Sequence, residues 1–126
     1  MFQKYLTGLQ HIGIPTRDVN KTVAFYESLG FKLTYRLSNE QYDVAFLNNQ
    51  GMVIETYGGE VAEVAGAIDH IAINVTDIEA VFQHVKDSGY TLIDQEIVSL
   101  PFFDKGCRYF MIEGPNKERV EFSQIS

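Results

Sequence analysis

Apolar and polar positions alternate from Leu6 to Pro15. Ile12 and Ile14 fall on one face, and Leu9, His11, Gly13 and Pro15 on the other. Period two predicts a strand. After Asp18 the period changes. Val19, Val23, Phe25, Tyr26 and Leu29 recur at helical spacing, Asp18 is a suitable N-cap, and Gly30 is a C-terminal stop. A helix over 19–29 is expected. Three strand-like runs follow: Phe31–Leu37, Tyr42–Leu47 and Met52–Tyr57. They are punctuated by SNEQ, NNQG and Gly58-Gly59, all turn chemistry. The segment 60–67 is small and polar and reads as a linker.

The order then recurs. Asp69–Val75 is a strand, Asp77 caps a helix over 78–88, and Gly89 stops it. Tyr90–Ile93 is a short strand, and 95–105 is irregular and carries Leu100, Pro101, Phe102 and Phe103. Cys107–Ile112 and Arg119–Ser123 are strands around the turn EGPNKE. The recurrence is an internal repeat. At a constant offset of 59 residues, His11 meets His70, Ile12 meets Ile71, Ile14 meets Ile73, Asp18 meets Asp77, Gly30 meets Gly89 and Leu33 meets Leu92. Two copies of this length are not a solenoid. They predict an α+β fold of two tandem βαβββ modules, over 6–59 and 67–126, within one domain spanning 1–126.

The pleat sorts the side chains, because i and i+2 share a face. Ile12 and Ile14 cover the first helix, so His11 faces away from it. His70 does the same above Ile71 and Ile73. In the runs VIET and RVEF, Glu55 and Glu121 stand opposite the apolar residues Ile54, Val120 and Phe122. Each module thus opens on a histidine and ends on a glutamate. A half-buried carboxylate is costly unless paired or bound to a cation. Alone, each residue has a structural reading. Four at repeat-equivalent places predict a site for a divalent transition metal held by His11, Glu55, His70 and Glu121, with positions left for substrate oxygens. His84 has no counterpart in the repeat and reads as surface or packing. Cys107 reads as a packing residue. Phe102 and Phe103 form either a lid or a satellite core cluster.

Composition narrows the function. A net charge of −7 with scattered Lys and Arg argues against nucleic acid and anionic membranes. No run is long and apolar enough to span a bilayer, and the opening MFQKYLTGLQ has no signal-peptide pattern. A single cysteine excludes an internal disulfide and fits the cytoplasm.

The HIGI…DV…FY…LGF opening, the DHIAINVTDI opening of the second half and the EGPNKERVEF close resemble the vicinal oxygen chelate superfamily. The resemblance implies paired βαβββ modules forming a half-open barrel around a metal cavity. The set His11, Glu55, His70 and Glu121 is similar to the ligand set of bacterial glyoxalase I, lactoylglutathione lyase. It implies one divalent metal per site, nickel or cobalt first, with zinc or manganese as alternatives. It also implies a homodimer acting on a small molecule. The reaction implied is a lyase or isomerase step through an enediolate, on a thiol adduct of a 2-oxoaldehyde or a similar α-hydroxycarbonyl compound. Glu121, with Glu55 second, would be the base. Pro15 stands where that family places a glutathione-holding arginine, and Gly58-Gly59 where it places an asparagine, so glutathione need not be the thiol. The alternatives within the fold are an acyl-CoA epimerase, a dioxygenase, a thiol transferase and a non-catalytic small-molecule binding protein.

Overall fold

The computed structural model describes residues 4–5, 7–66 and 68–126. Leu6 and Ala67, where the sequence pattern starts the modules, lie outside the described residues. The chain divides into two compact units, Met1–Val61 and Ala62–Ser126. Each carries one sheet and one helix, and the fold is mixed α+β. Among the described residues, no helix is long and apolar enough to cross a membrane.

The first unit runs β1 (Ile12–Thr16), α1 (Val19–Ser28), β2 (Lys32–Ser38), β3 (Asp43–Asn49) and β4 (Met52–Gly58). The sheet order is β1-β4-β3-β2, with β1 parallel to β4 and the other pairs antiparallel. Asp18 caps α1 by accepting from the Lys21 amide. Val19, Val23 and Tyr26 bury one helix face, and Ile14, Ala45, Leu47 and Ile54 are the buried hydrophobic residues of the sheet. Thr56 is also buried, and its hydroxyl donates to the Ile14 carbonyl of the neighbouring strand. β1 starts at Ile12 rather than Leu6, so His11 lies just before the strand. β4 opens at Met52, after the turn at Gln50 and Gly51, and leaves little partner backbone opposite the residues before Ile12.

The second unit runs β5 (Ile71–Asn74), α2 (Ile78–Asp87), β6 (Thr91–Leu92), β7 (Val98–Leu100), β8 (Cys107–Glu113) and β9 (Arg119–Ile125). The order β5-β9-β8-β6 repeats that of the first sheet, again with its first and last strands parallel. Asp77 caps α2 through the Ala80 amide. Phe82 on the helix meets the buried Phe110 edge-on at 4.9 Å. β7 corrects the expectation of an irregular segment over 95–105. Val98, Ser99 and Leu100 pair with Tyr109, Arg108 and Cys107. A three-residue strand is too short for its alternation to stand out in sequence, and it forms because β8 offers it a free edge.

Candidate metal and substrate site

The parallel pairing of first and last strands brings the histidine and glutamate of each module together. In the first, Glu55 is opposite Gly13 in register, and His11 lies two residues before Gly13. In the second, Glu121 is opposite Ala72, two residues after His70. Gly13 and Ala72 are repeat equivalents, and their small size leaves room for the carboxylate to reach the ring. A Cβ on Gly13 would sit 3.5 Å from the Glu55 Oε1, an ordinary contact. The His11 ring packs edge-on against Phe46 at 5.6 Å.

The geometry of the two pairs is alike. His11 Nε2 lies 3.4 Å from Glu55 Oε1, and His70 Nε2 lies 3.8 Å from Glu121 Oε1. Both exceed the usual length of a direct N–H···O bond. The other ring nitrogen of each histidine is already used. His11 Nδ1 is 3.0 Å from the side-chain oxygen of Gln10, and His70 Nδ1 is 2.9 Å from Asp69 Oδ2. Both oxygens accept, so Nδ1 carries the proton and donates. In the neutral ring each Nε2 presents a lone pair to a carboxylate oxygen, and two acceptors face each other. A cation between them relieves that repulsion. Imidazole nitrogen and carboxylate oxygen are ligands of divalent transition metals, and a ligating histidine commonly donates its second N–H to an oxygen. The donor set fits a metal. Within neither module do three or more His, Cys, Asp or Glu residues come together, among the described residues. Each module offers one pair.

Electrostatics distinguish the second pair. Burial pushes the Glu121 carboxyl up from its ordinary value. The positive charge of a protonated His70 opposes this and the Asp94 carboxylate adds to it. Asp69 is held below the usual carboxylate range, first by the hydrogen bond with His70 and then by the Arg119 guanidinium, against partial desolvation. Arg119 Nη1 is 3.1 Å from Asp69 Oδ1.

The second pair opens on a cavity of about 500 Å³ within the second unit. His70 and Glu121 line it, with Leu100, Phe102, Phe103 and Met111. Phe102 and Phe103 are exposed and belong to this cavity, not to a core cluster. Cys107 is buried beside it, a packing residue in β8. His84 is exposed on α2, with Ser88 3.5 Å away.

Residues 8–122 match the family model of the Glyoxalase/Bleomycin resistance protein/Dioxygenase superfamily. The chain belongs to this superfamily. It is 37% identical over 125 residues to the uncharacterized protein YwbC of Bacillus subtilis (strain 168), covering 92% of this chain and 96% of that one. The fosfomycin resistance protein FosX from Listeria monocytogenes, complexed with Mn(II) and sulfate, aligns at a TM-score of 0.76 and 17% identity. That alignment covers 96% of this chain and 94% of FosX. A glyoxalase family protein from Enterococcus faecalis aligns at 0.77 and 17% identity, over 94% and 98% of the two chains. At these identities the likeness to the solved superfamily members is one of fold.

The sequence pattern does not single out Gln10 and Asp69 as partners of the histidine rings. Their signal was present, since each directly precedes a histidine of the repeat at the same offset of 59. Their non-identity hid it.

Proposed function

We propose that the protein is a metal-dependent lyase or isomerase resembling glyoxalase I, acting on an α-hydroxycarbonyl compound such as a thiol adduct of a 2-oxoaldehyde. The observation that carries this reading is the recurrence, in both modules, of a histidine Nε2 facing a glutamate oxygen at 3.4 and 3.8 Å. His11, Glu55, His70 and Glu121 would hold one divalent metal, with the two pairs joined within one chain or between two copies of a homodimer. When bound, the metal supplies Lewis-acid stabilisation of negative charge on substrate oxygens.

The chain's own residues do the rest. His11 and His70 stay as neutral ligands, their tautomers held by Gln10 and Asp69. Glu121 takes the α-proton of the substrate and returns it to the neighbouring carbon. A carboxylate within reach of the substrate carbon is a suitable general base. Glu55 ranks second for this role because its side chain is the more exposed of the two. Nickel and cobalt are the first metals to test. Manganese, present with FosX, and zinc belong in the same screen. A reducing cytoplasm suits the single, buried cysteine.

The test is metal analysis of protein purified without chelator, followed by exchange of substrate α-protons with deuterated solvent. About one metal per pair of modules is expected, with sharp loss of occupancy in His11→Ala and in His70→Ala. Stoichiometric metal surviving removal of both histidines would sink the assignment.

A further inference from the structure

The register of the second sheet arranges the cavity floor in rows. Ala72, Glu121 and Met111 pair across β5, β9 and β8 and form one row. Two residues along the strands, Asn74 pairs with Ser123, and Ser123 with Tyr109. All six line the cavity. Residues i and i+2 share a face, so the second row stands beside the first, about 6.7 Å further along. Its three side chains spread over about 10 Å across neighbouring strands.

The second row is polar without being charged. It offers a carboxamide, an aliphatic hydroxyl and a phenol. Among the described residues, none of these three side chains has a hydrogen-bond partner in the protein, and none of their polar atoms is shut away from water. The fold does not demand such a row. The first sheet has the same pairing, and there the row two residues from Glu55 is Pro15, Tyr57 and Val44. That row holds one hydroxyl and no amide. Asparagine is depleted in strands, so strand formation does not account for Asn74. Ligand pockets are lined mostly by apolar groups, with a few polar ones placed to orient what binds.

We propose that Asn74, Ser123 and Tyr109 form a subsite for an uncharged amide group of the substrate, held about 6.7 Å from the carbon that reacts at Glu121. Each of the three side chains can both donate and accept. An amide N–H and C=O use both capacities. A carboxylate only accepts, leaves Asn74 Oδ1 unmatched, and meets no cation in the row. A tether of two carbons between the ketone and the amide nitrogen covers the distance between rows. The α-hydroxycarbonyl reading is needed for what lies at Glu121, and not for the row itself.

The experiment is an NMR titration of the full chain, with and without nickel, using three hydroxyketones of equal length. They are N-(4-hydroxy-3-oxobutyl)acetamide, its apolar isostere 1-hydroxy-6-methylheptan-2-one, and the anionic 6-hydroxy-5-oxohexanoate. The amide is expected to bind at least about tenfold tighter than either of the others, as two or more hydrogen bonds require. It should shift the side-chain NH2 signals of Asn74. Ser123→Ala, Tyr109→Phe and Asn74→Ala should each weaken the amide by about two- to tenfold and leave the isostere unchanged. Ser123→Ala and Tyr109→Phe each remove only a hydroxyl oxygen, so they carry the test if Asn74→Ala disturbs the strand. N-propylacetamide, which has the amide alone, should shift the same Asn74 signals at millimolar concentration. An isostere or a carboxylate that binds as tightly as the amide, a preference that survives all three variants, or no response to either amide would overturn the proposal. Asn74 shifts with N-propylacetamide that the hydroxyketone end does not strengthen, with or without nickel, would count against the enediolate reading and leave the amide subsite standing.

Discussion

Gln10 and Asp69 stand at the same position of the two modules, and each accepts a hydrogen bond from the Nδ1 of the histidine that follows it, at 3.0 and 2.9 Å. The identity of the acceptor differs while the geometry is kept. A carboxylate raises the basicity of the imidazole more than an amide oxygen does. Asp69→Ala should therefore weaken nickel binding by about ten- to a hundredfold, and Gln10→Ala by less. Calorimetric titration of metal into each variant checks this, with circular dichroism to confirm the fold. Unchanged affinity in both variants would remove the orienting role. Asp69→Ala also frees Arg119, so Arg119→Ala is the control for loss of that ion pair.

The raised carboxyl of Glu121 makes a prediction about pH. Its causes are burial first, opposed by His70 and reinforced by Asp94. The folded, metal-free protein binds this proton more tightly than the unfolded chain does. The stability the group contributes is fully present below its ordinary value and is lost as pH rises through the raised one. Asp69 runs the other way, its contribution being lost as pH falls through its lowered value. Comparing wild type with Glu121→Gln cancels Asp69. From about pH 4 to about pH 7, the urea midpoint of metal-free wild type should fall relative to that of the variant. Saturating nickel should reverse the trend, because the metal binds the deprotonated carboxylate. Parallel midpoints throughout would show that Glu121 is not desolvated in solution.

Much of this was legible in the chain. Asp18 and Asp77 mark helix starts at Val19 and Ile78, and Gly30 and Gly89 lie just past helices ending at Ser28 and Asp87. Caps and left-handed glycines are local chemistry, so sequence carries them. The alternation of Ile54, Glu55 and Thr56, and of Val120, Glu121 and Phe122, placed both glutamates on the face away from the buried residues. Partner choice was not legible. That β1 pairs in parallel with β4, which sets His11 beside Glu55, depends on a crossover through α1 and on sheet order. The pairing of Val98–Leu100 with β8 and the left-handed Phe103 likewise depend on a neighbouring edge and a tight turn, which leave no periodic trace.

Each sheet has edge strands among the described residues, and these predict self-association. β2 is the outer strand of its sheet and carries Tyr35 and Leu37 exposed. Open edges and exposed apolar residues are commonly covered by a second copy. The protein should be a homodimer at micromolar concentration by light scattering. A monomer that binds a full complement of metal would mean that one chain supplies all four ligands.

The last prediction concerns the base. Glutamine keeps a carbonyl oxygen for the metal but cannot take a proton near neutral pH. Glu121→Gln should keep the fold and much of the metal, yet lower α-proton exchange by at least about a hundredfold, the scale of general base catalysis. Glu55→Gln should be less damaging, because its carboxylate is the less buried of the two and makes the weaker case for a desolvated base. Exchange of substrate protons with deuterated solvent reads this step directly, before any later bond breaks, and so covers lyase and epimerase alike. The substrates to offer are methylglyoxal adducts of glutathione and of neutral thiols, then a phenylglyoxal adduct of a neutral thiol, and finally a racemisable acyl-CoA. Exchange that persists in both Gln variants would place the base elsewhere. Loss of exchange in Glu55→Gln alone would exchange the two roles, with Glu121 remaining as a ligand and Glu55 taking the proton.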